Sequence, residues 1–200
     1  MPDTWTRSIL EDYLRADLWY TSGTDCLPKL LRLTRPGLYY QRVLRRAEYW
    51  EAQPDGPVRT AMLTVHKLWL LRLTEKIGIE IPRHVFGPGL SIAHPFAIVV
   101  NGDVRVGARC RLSQGVTLGA GREGAPTIGS DVFFGPNSQA IGPIRIGDGV
   151  TVLPGAVVTH DVEDGCAVGG VPARVINIGT PPWHQSMKPT PPYPGKLPTT

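Results

Sequence analysis

Cysteine is scarce in this 200-residue chain: there are three, Cys26, Cys110 and Cys166, far apart and without a CxxC pair. An odd, scattered set excludes a disulfide framework and a cysteine-based zinc site, and it fits a reducing cytoplasm. Long apolar runs are missing too. The most apolar stretch, AMLTVHKLWLLRL (61–73), is short and carries Lys67 and Arg72, so no membrane span is expected. The start, MPDTWTRSIL, lacks the basic-then-apolar layout of a signal peptide. Nor is there a strong excess of one charge. Twenty-one basic against 17 acidic residues give +4, divided as +3 over 1–86, −1 over 87–179 and +2 over 180–200. No segment is basic enough for nucleic acid. The expectation is a soluble, cytoplasmic protein with no nucleic-acid or membrane partner, of one domain or of one domain with a smaller attachment.

Glycine divides what is present. Residues 1–86 hold 4 of the 23 glycines and residues 87–179 hold 18, so two architectures join near Pro82. The domain reading is a helical N-terminal region (1–79), a repeat region (80–178) and a Pro-rich irregular tail (179–200) with seven prolines in its last 21 residues. In the first region TWTRSILEDYLRADLWY has helical apolar spacing with Asp3 or Thr4 as cap. GLYYQRVLRRAEYWEA and VRTAMLTVHKLWLLRLTEKIG repeat that pattern, separated by the turn QPDGP and stopped at Gly78. Trp50 and Trp69 are expected in the core. In the tail, Trp183 and His184 are left open as packing residues.

The middle region carries an internal repeat. Apolar residues recur every six positions at Val100, Val106, Leu112 and Leu118, then at Ile128, Phe134, Ala140, Ile146, Val152 and Val158. A second series, from Val104 to Val162, lies four residues after each member of the first except Leu118. A strict six-residue period means a very short strand, a tight turn that needs Gly, Asn or Asp, and an apolar slot facing an interior shared with the next coil. The fold class read from it is mainly β, a parallel β-helix behind a short α-helical region. An antiparallel sandwich, whose hairpins vary in length, is the poorer alternative. Leu118 to Ile128 is ten residues, so GAGREGAPT extrudes about four residues as a loop. Stepping the ladder back from Val100 lands on His94 in SIAHPFAIVV. A buried imidazole without a partner is costly, so either the chain bends there or the side chain faces a site.

The run GIEIP…GPGLSIAHPFAIVVNGDVRVGARCRLSQGVTLG…GAPTIGSDVFFGPNSQAIGPIRIGDGVTVLPGAVVTHDV…GGVPARVI resembles the serine acetyltransferase branch of the hexapeptide-repeat acyltransferases. The resemblance covers roughly residues 78–176. It implies a left-handed β-helix assembled as a homotrimer, hexameric in members that stack two trimers, with acetyl-CoA as cosubstrate between neighbouring helices and no metal. It aligns His94 with the general base, which takes a proton from an acceptor hydroxyl during attack on the thioester and returns it to the departing thiolate. Glu80 in GIEIP matches the acidic partner that orients the base, at a spacing one residue short of the family's. The same alignment implies coenzyme contacts at Gly119, Ala120, Gly135, Pro136, Pro154 and Arg174, although Gly and Pro also serve as turn formers there.

The acceptor side departs from the family pattern. Ala93 stands where the family has Asp before the histidine, and Gly124-Ala125 stand where its loop has an Arg-His pair. Arg122 is the expected substitute clamp for a carboxylate or phosphate, and the resemblance implies Asp25 as the acidic acceptor contact that the family's helical region supplies. The ending KLPTT lacks the terminal Ile through which members dock the next cysteine-pathway enzyme, so that cysteine synthase complex is not supported. Three alternatives stay open: an O- or N-acyltransferase of a sugar or specialised metabolite, a non-catalytic trimeric scaffold, and a metal-dependent hydratase resembling the gamma-class carbonic anhydrases. The last needs three converging imidazoles, and His84 and His160 lie at no ligand-like spacing from His94.

Overall fold

Three helices come first among the residues that the computed structural model describes, which are 5–24, 35–179 and 183–186. Helix α1 (Arg7–Ser22) begins at Thr6, whose hydroxyl accepts from the Ile9 amide, and ends at Gly23 in the left-handed region with φ 74°. The cap is therefore Thr6, not Asp3 or Thr4. Helices α2 (Pro36–Glu51) and α3 (Pro57–Ile77) each open on a proline, whose fixed φ and missing N–H suit a first turn. Gly78 closes α3 with φ 65°, as its place in the sequence predicts. The expectation for the tryptophans is corrected: Trp50 is half-buried, and Trp69 is 47% exposed on α3.

Parallel strands of two or three residues then wind into a three-faced solenoid. The first face stacks β1 (Ile79–Glu80), β3 (Ile98–Val100), β6 (Thr117–Gly119), β9 (Gln139–Ile141) and β12 (Val157–Val158). The second stacks β4 (Arg105–Val106), β7 (Thr127–Ile128) and β10 (Arg145–Ile146), and bridges at Phe86–Val106 and Ile146–Val162 extend it at both ends. The third stacks β2 (Ser91–Ile92), β5 (Arg111–Leu112), β8 (Phe133–Phe134), β11 (Thr151–Val152) and β13 (Ala167–Gly170), with β14 (Ala173–Asn177) added antiparallel at the end. The result is a β-solenoid of about five coils. Every member of both six-spaced series, Val100 to Val158 and Val104 to Val162, is buried in its interior. Each fully buried aliphatic side chain there contributes about 1.5–3 kcal/mol. The one hydroxyl in the series, Ser138, donates to the Gly135 carbonyl at 2.7 Å and so is not left unpaired.

Register explains both irregularities. Phe133 pairs with Thr151, eighteen positions on, but Arg111 pairs with Phe133, twenty-two positions on, so four extra residues leave the wall at 120–126 as expected. Ile92 pairs with Leu112 and Val100 with Leu118, so eight positions separate Ile92 and Val100 where six separate Leu112 and Leu118. The apolar slot that the ladder placed at His94 is filled by Ile92, and residues 93–97 form a longer corner that turns His94 outward.

The helices are fastened to the first coil by a buried ionic cluster. Arg45 uses its guanidinium on four partners: Asp17 (2.9 and 3.3 Å), Glu48 (3.1 Å) and the carbonyls of Phe86 (2.8 Å) and Gly87 (2.7 Å). Asp17 also accepts from the Gly89 and Leu90 amides, and Glu48 from the His84 amide. Burial pushes the Asp17 carboxyl up from its ordinary value, against the pull of Arg45 and the Gly89 amide. For Arg45, burial acts downward, and the two carboxylates outweigh it and raise the guanidinium. Breaking such a group leaves uncompensated buried charge, at about 3–5 kcal/mol.

At the far end the chain returns. Helix α4 (Trp183–Ser186) lies in the segment read as an irregular tail, and Trp183 is buried against Trp19, Tyr20 and Phe133 with its indole N–H on the Arg109 carbonyl at 2.8 Å. Arg45→Met should lower unfolding stability by about 3–5 kcal/mol in denaturant titration, and the α1 and α2 amides should lose hydrogen-exchange protection before those of β8 to β11.

Candidate active site

The edge where the third face turns into the first is built by four stacked corners. Ala97 (φ 53°), Gly115 (φ 71°), Asn137 (φ 59°) and Gly155 (φ 70°) occupy the same left-handed turn in successive coils. Amides tie each corner to the one above: Gly115 donates to Phe96 at 3.0 Å, Asn137 to Gln114 at 2.9 Å and Gly155 to Pro136 at 2.8 Å. This alignment gathers residues distant in sequence. His94 lies in the uppermost of these corners, Gly135 and Pro136 two coils on, and Pro154 three coils on. With strands about 4.8 Å apart, that line runs roughly 15 Å from the imidazole down the solenoid.

His94 is exposed on this edge, flanked by Phe96 at 67% and, on β3, Val99 at 46% exposure. Glu80 is exposed on β1, paired in register with Val99, and no hydrogen bond or ion pair joins it to His94. The pair expected from the resemblance is therefore near in coil but not in contact. Gly119 and Ala120 lie at the end of β6, on the edge between the first and second faces, with Arg122 exposed in the extruded loop beyond them. Arg174 is exposed on β14, where it donates to its own neighbour's carbonyl at Ala173. Asp25 lies outside the described residues.

The glycines differ in what requires them. A Cβ at Gly135 would come within 2.7 Å of the Pro154 backbone nitrogen, so the packing of one coil on the next already demands glycine there. A Cβ at Gly119 would meet only Ile141, at 3.7 Å, and its φ is not left-handed. Nothing within the described residues forbids a side chain at 119, which leaves room for an outside molecule at that surface.

Sequence reasoning missed a cavity of about 290 Å³ between α2 and the third face. It is lined by Ala93 and Pro95, the neighbours of His94, together with Thr21, Arg35, Gly37 and Arg111. Arg111 opens β5, and because Leu112 points inward its side chain points out under the helices. Its place one residue before an apolar slot was the available signal. A larger cavity of about 530 Å³ lies along the second face beside Asp148, Asp161 and Asp164. Those carboxylates accept from the Ser130, Arg145 and Asp148 amides and so serve the coil corners. Among the described residues no three His, Cys, Asp or Glu side chains gather as a metal site, and no helix is long and apolar enough to cross a membrane.

Comparison with known proteins agrees with this architecture. Residues 125–160 match the family model for bacterial transferase hexapeptide (six repeats). A serine acetyltransferase of Synechococcus elongatus is 36% identical over 149 residues, 72% of this chain and 58% of that protein, so the chain spans less than two thirds of that relative's length. The crystal structure of Neisseria gonorrhoeae serine acetyltransferase in complex with serine aligns with TM-score 0.65 and 27% identity over 85% of this chain and 68% of that one. A serine acetyltransferase in complex with CoA shares the fold, with TM-score 0.68 and 20% identity over 85% of this chain and 71% of that one.

The two glycines give a paired expectation. Gly135→Ala should lower stability by about 1–3 kcal/mol through overpacking, whereas Gly119→Ala should leave the thermal midpoint within error; calorimetry on both variants checks this.

Proposed function

This chain is a hexapeptide-repeat β-solenoid protein homologous to the serine acetyltransferases, and from that premise we propose that it is an acetyl-coenzyme A-dependent O-acetyltransferase acting on a small hydroxyl-bearing acceptor, with L-serine the default. The observation that carries the reading is the exposed His94 at the head of a stacked edge that also holds Gly135, Pro136 and Pro154. An aliphatic hydroxyl is a poor nucleophile at neutral pH. His94 accepts its proton as the oxygen attacks the thioester carbonyl, and the resulting imidazolium protonates the departing thiolate as the tetrahedral intermediate collapses. A backbone amide of the edge stabilises the oxyanion of that intermediate.

Glu80 orients the imidazole and stabilises its cation. Catalytic hydrogen bonds are often long in a free enzyme and tighten when substrate binds, so the absence of contact in the free chain is compatible with this role. The pantetheine arm runs along the edge past Gly135, Pro136 and Pro154, with Gly119 and Ala120 of a neighbouring subunit against it and Arg174 beside the nucleotide phosphates. A homotrimer supplies that neighbour. Its support is the exposed apolar surface of Phe96 and Val99 beside His94, which an adjacent solenoid would cover. Arg122, free in its loop, reaches an acceptor only across such a boundary.

His94→Ala should reduce thiol release from acetyl-coenzyme A with L-serine by at least about 10²-fold while leaving the thermal midpoint unchanged; full activity in that variant would defeat the assignment. Glu80→Gln should reduce kcat more than it raises KM.

A further inference from the structure

Polar side chains at several corners of the solenoid are bonded within the chain. The Ser130 hydroxyl accepts from the Ala108 amide, Asp148 accepts from the Ser130 amide, and the Ser138 hydroxyl donates to the Gly135 carbonyl. Gln114 is not treated this way. Its side chain is half-buried, and its Oε1 is closed off from solvent with no hydrogen-bond donor among the described residues. A carbonyl oxygen held away from water without a donor is costly, so the orphaned atom marks a place that something outside the chain completes. The other buried side-chain atoms without a partner among the described residues belong to Tyr13, Gln41, Arg59 and Arg111, none of them in the stacked corners that carry His94.

The place of Gln114 in that edge says what kind of group would meet it. The amide bonds from Gly115 to Phe96, from Asn137 to Gln114 and from Gly155 to Pro136 put Phe96, Gln114, Pro136 and Pro154 at the same position in four successive coils. One phenyl and two pyrrolidine rings make no side-chain hydrogen bonds, so Gln114 is the one hydrogen-bonding side chain of the row. It is also firmly seated: a Cβ at its neighbour Gly115 would collide with Asn137 Oδ1, so the coil beneath holds the corner in place. Gln114 lies one coil below the corner of His94, a step of about 4.8 Å. In a pantetheine thioester the first amide nitrogen stands two methylenes from the sulfur, close to that same step. With the thioester at the height of His94, that amide N–H comes level with Gln114 and needs an acceptor there.

We propose that Gln114 is a positioning residue for the acyl donor: its Oε1 accepts from the amide N–H of the pantetheine arm nearest the thioester and so sets the reacting carbonyl in register with His94. This rests on the acetyltransferase reading for turnover and on its coenzyme edge for binding. It makes the protein selective for a thioester carried on an amide-bearing arm. The bond exists in the bound donor, so its loss weakens coenzyme binding; it also fixes the height of the sulfur, so its loss lowers kcat.

The test compares coenzyme A with an analogue in which an ester oxygen replaces that amide N–H, on the full-length wild type, Gln114→Met and Gln114→Glu. Calorimetry gives Kd for the two thiols, and thiol release with L-serine gives kcat and KM for their acetyl forms. The wild type should bind coenzyme A about 10-fold more tightly than the ester analogue, the range of one hydrogen bond. Gln114→Met should bind both equally, at the wild type's Kd for the ester analogue, and should have a lower kcat with KM for L-serine unchanged. Gln114→Glu keeps an acceptor at the same place, so it should keep the preference for the amide and shows that the effect is not loss of fold. A Met variant that still discriminates as the wild type does overturns the proposal, as does a wild type that binds both equally; thiol release that continues in either case spares the acetyltransferase. A preference abolished in Gln114→Met, without turnover of any acceptor by the wild type, upholds Gln114 and sinks the acetyltransferase. A wild type that binds neither thiol overturns both.

Discussion

The union of two unlike architectures depends on the charge cluster of Asp17, Arg45 and Glu48. An isolated solenoid needs no helices to satisfy its own coils, and helices of this length are marginal in water without a surface to pack on. Arg45 joins them by donating to backbone carbonyls of the first coil while bound to carboxylates from both α1 and α2. Asp17 completes the junction from the other side by taking the Gly89 and Leu90 amides. These backbone groups belong to a segment, 86–90, that has no coil above it to pair with, and an unpaired buried amide or carbonyl is expensive. The cluster thus does for the top of the solenoid what a further coil would have done, and in doing so fixes α2 as the roof of the cavity beside His94.

The solenoid beneath converts sequence period into spatial alignment. Because eighteen residues return the chain to the same place one strand spacing on, residues at that interval form lines along the prism. Side chains leave the wall where the interval is broken. Two extra residues between Ile92 and Val100 push His94 out of the wall, and four at 120–126 push out the loop with Arg122. In both places the interior series continues undisturbed on either side, so the rigid coils hold a protruding residue without themselves bending.

The surfaces on either side of the His94 corner differ in character. Toward the first face lie exposed apolar groups, Phe96 and Val99. Toward the third face lies the roofed, cationic cavity of Arg111, lined by its indole contact with a residue 72 positions later in the chain.

The sequence by itself determined the coils. Both buried series, the helix stop at Gly78 and the extruded loop were legible in it, since a short-period repeat is a local property in which each unit meets the same neighbours as the last. His94 was legible as an anomaly, but its direction was not: the six-residue ladder placed it inside, and only the pairing of Ile92 with Leu112 shows that the chain bends and turns it out. The separation of Glu80 from His94 and the packing of Trp183 were likewise beyond local pattern. Tertiary structure alone decided Arg111. In the sequence it is one more polar residue on the outward face of a strand, where charge is ordinarily solvated; it becomes a desolvated cation because α2 and Trp183, from opposite ends of the chain, close over that face, and such closure is a matter of which surfaces meet, which no spacing encodes.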